Sequence, residues 1–160
     1  ALAAVEAFRL HFRPSSVRLM VRNLEKAETM LDGYAHRELV EPCLTAELDT
    51  PDGERLLGEC RVIVNATPIG TAGRTDAIRS VVPPEYHALH EGQIVYDMVY
   101  NPLETPLLAE ARAAGATAVS GIEMLIGQAA RSFSIWTGRE MPIETVRNTV
   151  LSEIEKSGAG

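Results

Sequence analysis

QIVYDMVYNPLETPLL, residues Gln93–Leu108, joins an apolar run, a polar strand end and a capped helix without a spare residue. Ile94, Val95 and Tyr96 form the short continuous apolar run expected of a strand buried on both faces of a parallel sheet. Asp97 to Tyr100 carry the chain out of the carboxyl end of that strand, where open α/β sheets bind ligands. Asn101-Pro102 stops the extended run. Thr105 as N-cap and Pro106 at the first helical position then predict a helix over Leu107–Ala114, closed by Gly115. Taken alone, the pattern fits most doubly wound proteins.

Upstream, Leu2, Val5, Phe8 and Phe12 recur at helical spacing, and Arg13-Pro14 ends that helix. Val17–Val21 reads as a strand, and Asn23 caps a helix over Leu24–Leu31 that Gly33 helps to end. A weaker strand is expected within Leu39–Leu48, a turn over Asp49–Gly53 and a short helix over Glu54–Glu59. Arg61–Asn65 is the next clear strand, and it leads into Ala66-Thr67-Pro68-Ile69-Gly70 and a long loop. His87 and His90 are expected in a surface helix, with no ligand set around them to suggest a metal. Downstream lie a short strand over Thr117–Val119, a helix over Ile122–Trp136, an amphipathic helix over Ile143–Ile154 and a frayed SGAG tail. Strands alternating with helices predict an α/β fold of Rossmann-like, doubly wound type: a mostly parallel sheet with helices on both faces.

The chain has 160 residues, 46% of them hydrophobic, enough for one sizeable core. Its net charge of −7 argues against a general nucleic-acid or acidic-membrane binder. No apolar run approaches the roughly 18 residues of a membrane span. No signal-peptide pattern opens the chain, and Cys43 and Cys60 form no C-x-x-C pair, so a cytoplasmic protein with two small buried thiols is expected. There is no G-x-S-x-G, and Ser132, Ser134 and Asp97 suggest no triad. Phe133, Ile135 and Trp136 read as a domain contact rather than a base-stacking platform.

The glycine-rich turn of a dinucleotide site is missing between a first strand and a first helix; the lone G-x-G, Gly158–Gly160, lies far from any strand. Because the chain opens in a helix followed by a strand, the expectation is that a first strand and its glycine loop precede Ala1. The end of Val17–Val21 carries Arg22 and, one turn on, Lys26, with Asn23 between. Two cations without an acid at this strand end favour a phosphate over a ribose hydroxyl, hence NADP over NAD.

YDMVYNPLETPLL, followed by SGIEMLIGQAARSFSIWTG over Ser120–Gly138, closely resembles the carboxyl-terminal half of shikimate dehydrogenases, and the resemblance extends from about Ala1 to about Val150. Such enzymes show a strand ending in D-M-x-Y, a T-P-L-L helix start, a G-x-x-M-L-x-x-Q-A helix and a W-T-G end. The resemblance implies that Arg22 and Lys26 match the basic pair that holds the 2′-phosphate, although Val21 and Asn23 depart from the usual N-R-T or N-R-S. It implies that Asn65, Ala66 and Thr67 match the N-A-T segment beside the nicotinamide ribose. Met98 and Gly121 match the nicotinamide wall, where a strand-end backbone and a residue without Cβ let a flat ring approach. Tyr100 and Gln128 match the substrate-contacting phenol and amide. Without the resemblance, Met98 and Met124 read equally well as core.

The implied activity is NADP-dependent, reversible reduction of 3-dehydroshikimate to shikimate, with the catalytic Lys and Asp on an amino-terminal substrate domain, so no catalytic residue is assigned on this chain. Residues 1–121 are expected to form a partial NADP-binding domain, and residues 122–160 helices that pack toward the substrate domain. Turnover by the chain alone is not expected, nor is ready folding without a central first strand, and a homodimer is the expected assembly of the full-length protein. The alternatives are a related dehydrogenase of quinate or methylene-tetrahydrofolate type, or a non-catalytic nucleotide-binding or interaction module.

Overall fold

The computed structural model describes residues 2–44, 50–83 and 85–158. The elements follow as α1 (Leu2–Phe12), β1 (Val17–Val21), α2 (Leu24–Leu31), a 3-10 turn (Arg37–Leu39), β2 (Val40–Leu44), α3 (Pro51–Glu59), β3 (Val62–Asn65), β4 (Ile94–Asp97), α4 (Pro106–Ala113), β5 (Thr117–Ser120), α5 (Ile122–Thr137) and α6 (Ile143–Gly158). The chain divides into two compact units, Ala1–Leu56 and Leu57–Gly160. Among the described residues the strands form two sheets, β1-β2 and β3-β4-β5, and every pairing is parallel. The single sheet expected from the sequence is thus two parallel sheets, each formed by strands of one unit.

In the first unit Val5 of α1, Leu31 of α2 and Val40 of β2 form the buried centre, with Leu2, Val17, Leu19, Tyr34 and Leu39 against it. α1 ends because Arg13 turns into the left-handed region, φ 47°, while its N–H still reaches the Phe8 carbonyl. Glu6 ties this helix to the turn after α2: it takes two bonds from Arg9, at 2.9 and 2.7 Å, and one from the Tyr34 hydroxyl at 2.8 Å. Those donors, Arg9 first, hold the Glu6 carboxyl down at about 2. α2 begins where expected, with the Asn23 side chain accepting from the Lys26 N–H. It ends without a left-handed glycine: Asp32 stays in the helical region and the Tyr34 N–H turns back to the Leu31 carbonyl, so Gly33 is not the stop. Residues 45–48 of the expected strand lie outside the described residues, as does Asp49 of the expected turn.

The described part of the expected turn, Thr50–Gly53, is instead a helix start, and its signal is the same as that of α4. Thr50 accepts from the Gly53 N–H at 3.2 Å ahead of Pro51, as Thr105 accepts from the Leu108 N–H at 3.3 Å ahead of Pro106. The carboxyl end of α3 is closed by side chains from a distant segment. Gln93, 1% exposed, donates to the carbonyls of Leu57 and Cys60, both at 3.0 Å, and accepts from the His90 N–H. His90 sits in irregular chain, not in the expected surface helix, and its two ring nitrogens lie 2.9 Å from the Gly58 carbonyl and 2.7 Å from that of Glu91.

Carbonyls only accept, so both bonds form when both ring nitrogens carry hydrogen, and the Gly58 and Glu91 carbonyls raise the imidazole pKa above its usual 6.5. A histidine raised by folding adds stability that is complete below its unfolded pKa and is lost as pH rises through the folded one. The gap in thermal midpoint between wild type and His90→Ala is therefore expected to be widest at about pH 5 and to close as pH rises past neutrality. Thermal melts of the two proteins across that range test this, and a gap that widens with pH would contradict it.

In the second unit the sheet register sets Ile63, Val95 and Ala118 in one row, and Asn65, Asp97 and Ser120 in the next row along the same face. α4 packs on β4 and β5, and its Leu107, Leu108 and Ala111 are buried. Ile94 is 39% exposed and Tyr96 half-buried, so β4 is buried on one face only, not on both as its unbroken apolar run suggested. α4 starts and ends one residue earlier than expected, and the chain turns out of it at Gly115, whose φ of +78° suits a residue without Cβ.

Candidate functional site

The described polar groups with a claim on a ligand fall at the carboxyl ends of the strands, and each unit carries its own set. In the first unit β1 ends at Val21 and the chain passes through Arg22 and Asn23 into α2. Arg22, Asn23 and Lys26 are all exposed. Asn23 spends its side-chain oxygen on the Lys26 N–H at 2.8 Å, fixing the start of the helix. Neither the Arg22 nor the Lys26 side chain makes an ion pair among the described residues, although most other cations near a carboxylate do. Two unpaired cations beside a helix amino terminus fit an anion, because the helix dipole and the side chains act with the same sign. Asn23, Glu25, Lys26, Thr29 and Met30 line a shallow concavity here.

In the second unit the strand ends are bound together by a buried polar network. Asp97, wholly buried, accepts at one oxygen from Asn65 Nδ2 at 2.9 Å and from the Val99 N–H at 3.0 Å, and at the other from the Thr105 hydroxyl at 2.7 Å. Asn65 also donates to the Ile69 carbonyl at 3.2 Å, and its oxygen accepts from the Thr67 N–H at 2.9 Å and the Thr67 hydroxyl at 2.7 Å. The Asn65 carbonyl accepts from the Met98 N–H at 3.0 Å. Ala66 and Thr67 remain exposed while Asn65 beneath them is buried, and the Thr67 hydroxyl is turned inward to Asn65.

Gly121, buried at the start of α5, lies against Met98: a Cβ built on it would stand 2.4 Å from the Met98 carbonyl oxygen and 2.9 Å from that of Val99. The Gly121 N–H donates to the Val99 carbonyl at 3.2 Å. The missing Cβ is thus required by the chain's own backbone, a different reason from the ring approach inferred from sequence. Asn65, Thr67, Met98 and Gly121 are one contiguous group. Tyr100 is 45% exposed and Gln128 exposed, and neither side chain bonds to that group. Gln128 follows Gly121 by seven residues, so the two share a face of α5 about 10 Å apart. Asp97 and Gln93 went unassigned in the sequence; a lone acid ending an apolar strand is the one mark that Asp97 leaves there.

Parallel α/β units with polar groups at the carboxyl strand ends define a Rossmann-like nucleotide-binding class of fold. Residues 121–151 match the shikimate 5′-dehydrogenase C-terminal domain. The chain is 66% identical over 157 residues to the shikimate dehydrogenase (NADP(+)) of Chlorobaculum tepidum, an alignment covering 98% of this chain and 53% of that protein. Among solved structures, a shikimate dehydrogenase in complex with NADP+ superposes with a TM-score of 0.71 at 34% identity, over 87% of this chain and 47% of the other. A quinate dehydrogenase from Corynebacterium glutamicum in complex with NAD does so with a TM-score of 0.72 at 28% identity, over 86% and 46%. The chain belongs to the shikimate dehydrogenase family, and it spans about half the length of the curated relatives it matches.

Proposed function

We propose that this chain is the cofactor-binding part of an NADP-dependent shikimate dehydrogenase, which interconverts 3-dehydroshikimate and shikimate. The observation that carries the choice of cofactor is the pair of unpaired cations, Arg22 and Lys26, at the end of β1. They fit a 2′-phosphate, and Val21-Arg22-Asn23 at the strand end itself holds no acid to take ribose hydroxyls; Glu25 stands one step on, in α2. The bound nicotinamide supplies the hydride chemistry. Asn65, Ala66, Thr67, Met98 and Gly121 form the wall for its reactive end, and Tyr100 and Gln128 offer exposed hydrogen-bonding groups to a hydroxylated carboxylate substrate. Proton transfer is not assigned to a residue of this chain.

Residues 122–160 pack toward a substrate domain in this reading, which the 82% exposure of Trp136 and 68% of Ile135 support. The enzyme is cytoplasmic and a homodimer; Cys43 and Cys60, neither of them in a disulfide, fit a reducing compartment. Among the described residues no helix is long and apolar enough to cross a membrane.

The test grafts this chain onto the remaining portion of the Chlorobaculum tepidum relative. NADP-dependent oxidation of shikimate in preference to quinate is expected. Replacing Arg22 and Lys26 together by alanine is expected to weaken NADP binding by roughly tenfold to a hundredfold while NAD binding stays level, since a charged hydrogen bond contributes about 1.5–3 kcal/mol. A preference for quinate with NAD would favour the quinate-type relative instead.

A further inference from the structure

We propose that Asp97 is a positioning residue for the nicotinamide end of the site, an inference that rests on the cofactor reading above. Its side chain, with no exposure to solvent, accepts from groups on three separate segments: two side chains and one backbone N–H. Through Asn65 Nδ2 it holds the Asn65–Thr67 loop, through the Val99 N–H the segment that carries Met98, and through the Thr105 hydroxyl the start of α4. Each link continues outward. Asn65, fixed by Asp97, orients Thr67 through two bonds, and the Thr67 hydroxyl in turn accepts from the Ile69 N–H at 3.2 Å. Val99, fixed by Asp97, accepts from the Gly121 N–H, which sets the first turn of α5 against Met98. Thr105 packs its methyl end toward Gly70, where an added Cβ would lie 3.4 Å from Thr105 Cβ.

The groups assigned to the cofactor, Thr67, Met98 and Gly121, thus have no common covalent neighbour, but each bonds to Asn65 or Val99, and Asp97 holds both. No described buried polar side-chain atom in this network is left without a partner. A fully satisfied buried network admits one arrangement, because any other leaves a donor unpaired at about 1–3 kcal/mol. Asp97 does not touch the cofactor in this scheme; it sets the loops that do.

The test uses the same graft and the pair Thr105→Val and Thr105→Ser. The first keeps the shape but removes the hydroxyl that donates to Asp97 and accepts from the Leu108 N–H; the second keeps the hydroxyl and both bonds. Thr105→Val is expected to raise the Kd and KM for NADP by about fivefold to tenfold, with kcat changed less than about twofold. Adenosine 2′,5′-bisphosphate, which calls only on the Arg22 and Lys26 end, should bind as it does to wild type. Amide exchange at Thr67 and Val99 should quicken, although neither is bonded to Thr105, and Thr105→Ser should behave as wild type in every readout. The proposal is overturned if Thr105→Val binds NADP as wild type does, or if it weakens NADP and the bisphosphate alike. Failure of the unaltered graft to bind NADP would instead remove the cofactor reading, and this inference with it, before any variant is made.

Discussion

Gly121→Ala is expected to destabilise the Leu57–Gly160 unit by about 3 kcal/mol, at the upper end of what overpacking costs. The new methyl carbon would stand 2.4 Å from the Met98 carbonyl oxygen, 2.6 Å from its carbon and 2.9 Å from the Val99 oxygen. All three atoms are backbone, so no side chain can swing aside. Gly121 has φ −69° and ψ −7°, which alanine adopts freely, so the effect comes from the contact and not from conformational strain. A control lies on the same helix: a Cβ at Gly127 meets nothing within 4 Å, and Gly127→Ala should stabilise by about 0.5–1 kcal/mol through helix propensity. Denaturant unfolding of both variants reads the contrast, and a neutral Gly121→Ala would show that the Met98 backbone yields at little cost.

Asp97→Ala is the second large effect. It strips the acceptor from the Val99 N–H, the Thr105 hydroxyl and one hydrogen of Asn65 Nδ2, all inside the protein. Three donors left without a partner at about 1–3 kcal/mol each give a loss on the order of 3–5 kcal/mol once water enters the gap. That is a large share of a typical domain's stability. Asp97→Asn should cost less, about 1–3 kcal/mol: its amide oxygen keeps Asn65 and Val99, but its NH2 then meets Thr105 Oγ1, whose own hydrogen loses its acceptor. Equal losses for Ala and Asn would mean that the hydrogen bonds are not what Asp97 contributes.

Local signals carried far into the fold. Val17–Val21 and Leu24–Leu31 have the expected bounds, because an apolar run bordered by a capping Asn leaves little choice. The start of α3 was equally marked, by Thr50-Pro51, but Asp52-Gly53 next to it suggested a turn. Asn65 meets Asp97 across 32 residues because the sheet register pairs them, and Gln93 reaches a carbonyl of α3 36 residues back; neither pairing leaves a local trace. Ile94 stands exposed because burial of β4 depends on which face α4 covers, a tertiary fact that an apolar triplet does not encode. Arg22 was singled out by the charge at its strand end, Asn65 and Gly121 through family resemblance. The physical reason for Gly121, the nearness of Met98, needed the structure.

We expect the end of β1 to select NADP through Arg22 and Lys26. Calorimetric titration of the graft with NADP and with NAD, repeated for the Arg22→Ala, Lys26→Ala double variant, should show tighter binding of NADP than of NAD, and loss of that difference in the double variant. Equal affinity for the two cofactors, or an NADP preference that survives removal of both cations, would contradict it.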